Sequence, residues 1–178
     1  WEIDCTNFDY RFVGWDYDPR TNCYEACFLF EQYLTEAEYF YQKPSPDGTP
    51  AVYWISIAAV YPDGTIVDNP WGWKARPRIF NDDAVQIRIP TTPHIGDRYV
   101  QGKPIYWPDP NKSWDMAFEL TAQTTGTYNK WEQLPNPQLS GLHCHDSQDA
   151  AGNYSYITIA DDWQCYGGEV TDLHWYGN

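Results

Sequence analysis

The sequence predicts an all-β domain, an antiparallel β-sandwich of jelly-roll or immunoglobulin-like type with no more helix than single turns. Three observations lead there. The 178 residues include 15 Tyr, 10 Trp, 14 Pro and 12 Gly but a single Met, and aromatic residues set among frequent turn formers favour short strands. Stretches of alternating side chains recur, the period of two that a pleated strand imposes. The length suits one core and is too short for two large domains.

Taken in order, residues 1–15 alternate loosely, with Tyr10, Phe12 and Gly14 toward one face, and end in the turn-rich run Asp16-Tyr-Asp-Pro-Arg-Thr-Asn. Residues 23–32 form a clear strand: Tyr24, Ala26, Phe28 and Phe30 share one face, Glu25, Cys27, Leu29 and Glu31 the other. Thr35-Glu-Ala-Glu has the form of a helix start, but Pro44 and Pro46 stop anything longer than a turn. Residues 52–61 are apolar on both faces and are expected to be the central strand, covered on both sides and closed by Pro62-Asp63-Gly64.

After that strand come Asn69-Pro-Trp-Gly-Trp and Phe80-Asn-Asp-Asp-Ala-Val, and residues 84–89 alternate up to Pro90. The proline-rich stretch 91–113 reads as a long surface excursion, the kind of loop in which binding usually resides. Residues 115–121 return to alternation, with Met116, Phe118 and Leu120 on one side. Residues 124–129 are polar and linker-like. Two further strands, 156–160 and 170–176, lie in the last third.

A formal net charge of −14 repels phosphate backbones and anionic lipid, so nucleic acid is not an expected partner. No run approaches the ~18–20 apolar residues of a membrane span, so membrane insertion is not expected, and no charged-then-apolar leader opens the chain. Carboxylates are also what calcium prefers. Asp82 and Asp83, in Asn81-Asp82-Asp83, and Asp161 and Asp162 are the candidate cation ligands, with turn formation through Asx side chains as the plainer role.

Five cysteines without metal-finger spacing point to an oxidising, extracellular compartment with two disulfides and one thiol left over. Cys144 is expected to pair with Cys165. Cys23 bridges Cys27 around a turn, or, if the strand from Cys23 is regular and sets the two too far apart, one of them pairs with Cys5. His143-Cys144-His145-Asp146 is the densest cluster of ligand types, weighed against that Cys144 disulfide with surface histidines beside it. Asn111 and Asn153 sit in glycosylation sequons.

The chain has no Gly-x-Ser-x-Gly, His-Glu-x-x-His or phosphate-cradling loop, and Asp115, Glu119 and Glu132 offer the carboxylates of a hydrolase only as a weaker third reading. Trp71, Trp73, Trp107 and Trp114 lie in Gly- and Pro-rich loops. There they either stack on sugar rings or are buried, as plugs of the sandwich or against a neighbouring subunit.

Tyr53-Trp-Ile-Ser-Ile-Ala-Ala-Val-Tyr, Pro70-Trp-Gly-Trp, Phe80-Asn-Asp-Asp-Ala-Val and Asp115-Met-Ala-Phe-Glu-Leu resemble the second half of an uncharacterised domain family. That family is found, often in several copies, in secreted bacterial proteins. Lys130-Trp-Glu-Gln-Leu-Pro, Ile159-Ala-Asp-Asp-Trp-Gln-Cys and Val170-Thr-Asp-Leu-His-Trp-Tyr-Gly resemble its first half. The resemblance implies an extracellular all-β domain and carries over no catalytic residues. The halves stand in reversed order, and the strand-bearing segment that the family places between them, after Asn178 and before Trp1, is absent.

Two readings follow: a slice of a tandem array, or a polymer subunit. In either, residues 1–123 form the main portion of the sandwich, and residues 130–178 complete the same fold or a neighbour's by strand exchange. The expected function is therefore structural, a subunit or repeat of a secreted or cell-surface filament that self-associates into a homopolymer. The alternative is a carbohydrate-binding module whose loop tryptophans hold a glycan. No cofactor beyond calcium is expected.

Overall fold

The computed structural model describes residues 1–19, 22–62, 64–65, 67–68, 70–79, 82–89, 103–106, 111–123, 127–139, 141–143, 145–148 and 154–178. It is all-β, with two main sheets face to face. The first runs β1 (Asp9–Asp18), β2 (Cys23–Tyr33), β17 (Asp172–Gly177), β11 (Phe118–Gln123), β12 (Thr127–Gln133), every neighbour antiparallel. The short β6 (Gly72–Trp73) attaches to β17 and to β13 (Leu142–His143).

The second sheet is organised by β15 (Tyr154–Cys165). On one side β15 pairs with β8 (Val85–Ile89), which carries β9 (Lys103–Pro104). On the other it pairs first with β14 (His145–Gln148) and then with β4 (Ala51–Ser56). β5 (Ala59–Val60) joins β14 as a parallel pair. Two small ladders complete the framework, β7 (Ala75–Pro77) with β10 (Trp114–Met116) and β3 (Phe40–Gln42) with β16 (Gly168–Val170).

Residues 52–61 are not the central strand. They divide into β4 and β5, and β4 alternates between a core side, Tyr53 and Ile55, and a solvent side on which Val52 and Trp54 are exposed. β15 takes the central place because it is paired along both edges, whereas β4 touches one ladder partner among the described residues. The apolar run therefore reflects an exposed apolar side, not a second cover.

The core lies between the sheets. Trp73, Phe118, Leu120, Leu173 and Trp175 from the first meet Ile55, Ile159 and Trp163 from the second. Met116, Phe118 and Leu120 are buried as their alternation requires, with a break at Ala117 between β10 and β11. Thr35-Glu-Ala-Glu closes a single turn: Glu38 N–H donates to Thr35 O (2.8 Å), and Thr35 N–H and Oγ1 donate to Glu38 Oε2, 2.8 Å each. This is the Glu half of a capping box alone, since the Glu38 N–H goes to the Thr35 carbonyl rather than to its hydroxyl, and no helix follows.

The reverse face of the first sheet has a smaller cluster, Cys27, Leu29, Ala117 and Tyr176. The segment after β12 folds over it, since Tyr17 N–H donates to Pro137 O (2.9 Å), Asn136 N–H to Ala75 O (3.1 Å) and Gly141 N–H to Glu25 Oε2 (2.8 Å). Residues 127–129, within the linker-like stretch, begin β12 and pair with the end of β11.

Candidate functional site

Along β1 and β2 the first sheet keeps aromatic rings on the side that elsewhere faces the core. The ladder sets Tyr10 beside Phe30 and Phe12 beside Phe28; after a bulge between Phe12 and Gly14 it sets Trp15 beside Ala26. Trp175 of β17 is the next residue across from Phe30, and the two rings stack at 5.6 Å and 8°. Over Trp175 the second sheet closes. Over β1 it does not, and Tyr10 is 65% exposed, Phe12 49% and Trp15 67%.

These rings pack on one another. Phe12 meets Phe28 at 5.7 Å and 68° and Trp15 at 5.7 Å and 66°, and Phe8 meets Phe30 at 5.6 Å and 65°. Edge-to-face packing of this kind is how aromatic interiors are built. A groove of about 910 Å³ continues the face toward β4, between the N-terminal segment and the second sheet, with Phe30, Trp71, Trp163 and Trp175 in its lining and the half-exposed Trp54 beside them. The N-terminal segment is tied down by Trp1 Nε1, which donates to Glu38 O at 2.8 Å.

The loop tryptophans do not form a solvent row. Trp73 and Trp114 are buried in the chain's own core, held there by the short pairs β6–β13 and β7–β10. Trp73 Nε1 donates to Ala117 O at 2.9 Å. Trp71 is half-buried and meets Phe30 edge-on at 6.3 Å and 84°. Trp107 lies outside the described residues. The aromatic face on β1 was missed in the sequence because loose alternation does not reveal which strands the second sheet covers.

The candidate cation ligands are dispersed. Asp82 is exposed, and Asp83 accepts from Arg78 Nη1 at 2.9 Å. Asp161 and Asp162 are buried neighbours on β15, and consecutive strand residues point to opposite faces, so they do not converge on one ion. Asp161 accepts from Met116 N–H (2.7 Å) and Asp162 N–H (2.9 Å). The Gln133 amide, oriented so that its carbonyl accepts from Trp131 Nε1 (2.9 Å), donates to Met116 O (2.9 Å) and Asp161 Oδ2 (3.2 Å). Burial first, and Asp115 second, push the Asp161 carboxyl up to about 8, against the pull of the two backbone N–H groups. Among the described residues no three His, Cys, Asp or Glu side chains are grouped to hold a metal.

His143 and His145 do not share one strand. His143 ends β13, opposite Gly72 in the first sheet, and His145 begins β14, opposite Ile157 in the second. Cys144 between them is outside the described residues, as is Asn153; Asn111 is exposed in a turn. The four described cysteines, Cys5, Cys23, Cys27 and Cys165, are thiols rather than disulfides. Cys23 and Cys27 are four residues apart on one regular strand, about 13 Å by strand rise, beyond the reach of a bridge. Cys165 Sγ instead donates to Gln42 Oε1 at 2.7 Å.

One polar group went unread in the sequence. Lys74, between β6 and β7, is fully buried, with Nζ 2.9 Å from Glu25 Oε2 and 3.1 Å from Asp16 Oδ2. A lysine inside the apolar run Trp-Gly-Trp-Lys-Ala was the available signal.

These strands match, over residues 1–121 and 129–178, a family described as a domain of unknown function. The chain belongs to the DUF7901 family. No curated protein and no solved structure matches it. The two matched stretches of the DUF7901 domain interleave in space: β17 from the second lies between β2 and β11 from the first, and β15 carries β4 and β8. No helix among the described residues is long and apolar enough to cross a membrane.

Proposed function

We propose that this DUF7901 domain is a structural building block of an extracellular assembly in which the aromatic face of β1 and β2 is covered by another copy of the chain. The observation that carries this reading is the continuation of core-type packing, Phe28, Phe30, Phe12, Tyr10 and Trp15, past the edge of the second sheet into solvent. Contiguous exposed apolar faces mark contact surfaces.

Two further features favour self-association over glycan binding. Sugar rings stack best on a row of coplanar rings, and here Phe12 stands edge-on to both Trp15 and Phe28. The first sheet also ends in two unlike strands: among the described residues β1 has ladder partners only in β2, and β12 only in β11. Joining β1 of one copy to β12 of the next is a heterologous contact that does not close on itself, which is the geometry of a filament. The extracellular setting is supported by the acidic balance and by the resemblance to domains of secreted proteins.

The test is the size of the native particle, by electron microscopy and light scattering over a range of concentrations. The reading expects assemblies in the native chain that fall to monomers in a Phe12→Ser/Trp15→Ser double variant of unchanged stability. A monodisperse monomer at high concentration overturns it, as does Trp15-dependent retention on an insoluble polysaccharide by a monomeric chain.

A further inference from the structure

From the setting of Lys74 we infer an intramolecular isopeptide bond, formed by the chain itself between Lys74 Nζ and Asp16 Cγ with Glu25 as the proton carrier. Lys74 is without solvent exposure and Asp16 is 6% exposed, so amine and carboxyl meet in an interior made by Cys27, Leu29, Ala117 and Tyr176. Nζ donates to Glu25 Oε2 at 2.9 Å, which is held from its other side by Gly141 N–H at 2.8 Å. The 3.1 Å contact of Nζ with Asp16 Oδ2 does not have the angles of a hydrogen bond. Nζ thus rests against the Asp16 carboxyl, 3.1 Å from Oδ2, without being hydrogen-bonded to that oxygen.

An ammonium and a carboxylate are costly in such a place, and condensing them to an amide removes both charges. One proton passes from the Lys74 ammonium, through Glu25, to Asp16, leaving an amine facing a carboxylic acid. The Nζ lone pair adds to Asp16 Cγ, forming the C–N bond. Glu25 takes a proton from the nitrogen and returns it to the departing hydroxyl. The Cγ–O bond breaks, water leaves, and Glu25 is regenerated. No oxidant or cofactor enters: ammonium plus carboxylate give amide plus water. The bond would tie the β1 edge strand to the β6–β7 connection, and it would remove two buried charges.

The decisive measurement is the intact mass of the folded full-length chain after denaturation and reduction, followed by peptide mapping. A mass lower than that of the sequence by one water, with a branched peptide joining the segments that contain Asp16 and Lys74, is the expected result. Glu25→Gln should keep the full mass while retaining near-ultraviolet dichroism. If that variant fails to fold, Lys74→Arg, which keeps the charge and cannot form the amide, should have full mass and a lower unfolding temperature. A folded native chain of full mass overturns the inference, and so does loss of water without the branched peptide.

Discussion

The indole of Trp71 rests on the Cα of Gly177. A β-carbon at Gly177 would lie 2.5 Å from Cε2 and 2.8 Å from Cζ2 of that ring. Gly177 stands opposite Phe28 in the ladder, so the missing side chain lets Trp71 seat on the aromatic side of the sheet and reach Phe30. Gly177→Ala should therefore unseat Trp71 and cost ~1–3 kcal/mol, the usual penalty of overpacking. Denaturant unfolding measures it, and an unchanged midpoint would show that the indole does not occupy this seat.

Removing Lys74 should be more harmful. Lys74→Met leaves the buried Asp16 carboxylate with neither a counter-charge nor an amide nitrogen, and stranding one partner of a buried pair costs roughly 3–5 kcal/mol. Equilibrium unfolding at neutral pH should register that loss; a change under 1 kcal/mol, on the order of an exposed pair, would mean that water reaches the site.

Asp161 makes a prediction about pH. Its carboxyl is raised in the fold to about 8 by burial and by Asp115, so the folded state binds one proton more than the unfolded chain between the ordinary aspartate value and that point. The stabilisation is complete at acid pH below the unfolded value and is lost as pH rises toward 8, by at most ~1.4 kcal/mol per unit. Asp161→Asn does not titrate, so the stability of the native chain relative to this variant should fall over that range. A rise would mean that the N–H groups of Met116, Asp162 and Gln133 hold the carboxylate ionised.

The thiols should separate by reactivity. Burial first, and Asp16 next, push Cys27 up to about 12, so its nucleophilic thiolate is scarce. Alkylation at mildly alkaline pH, read by peptide mass, should modify exposed Cys23 first and reach Cys27 and Cys165 only on unfolding. Rapid native labelling of Cys27 would show that the reverse face of the first sheet opens.

Much of the architecture was legible because strand period is local. The alternations of residues 23–32 and 115–121 became β2 and β10 with β11, and the stretch 170–176 became the end of β16 (Gly168–Val170) and most of β17, since each side chain's direction follows from its neighbour's. Sheet order was not legible. The run 52–61 reads as central on apolarity alone, yet centrality depends on pairing along both edges, which β15 has and β4 lacks. Cysteine count likewise suggested bridges, while distance along a strand keeps Cys23 and Cys27 apart.

The sequence by itself determined an all-β sandwich rich in aromatic residues, because composition and period act over a few neighbouring positions. Tertiary structure alone decided which aromatics are core and which face solvent: Trp73 and Trp114 went inside, while Tyr10, Phe12 and Trp15 stayed out. It also brought Lys74, from a distant part of the chain, to Asp16 and Glu25, which face each other in the β1–β2 ladder. The reason is the same in both cases. Burial and proximity are set by which strands pair and which sheet covers them, and those contacts join residues distant in sequence.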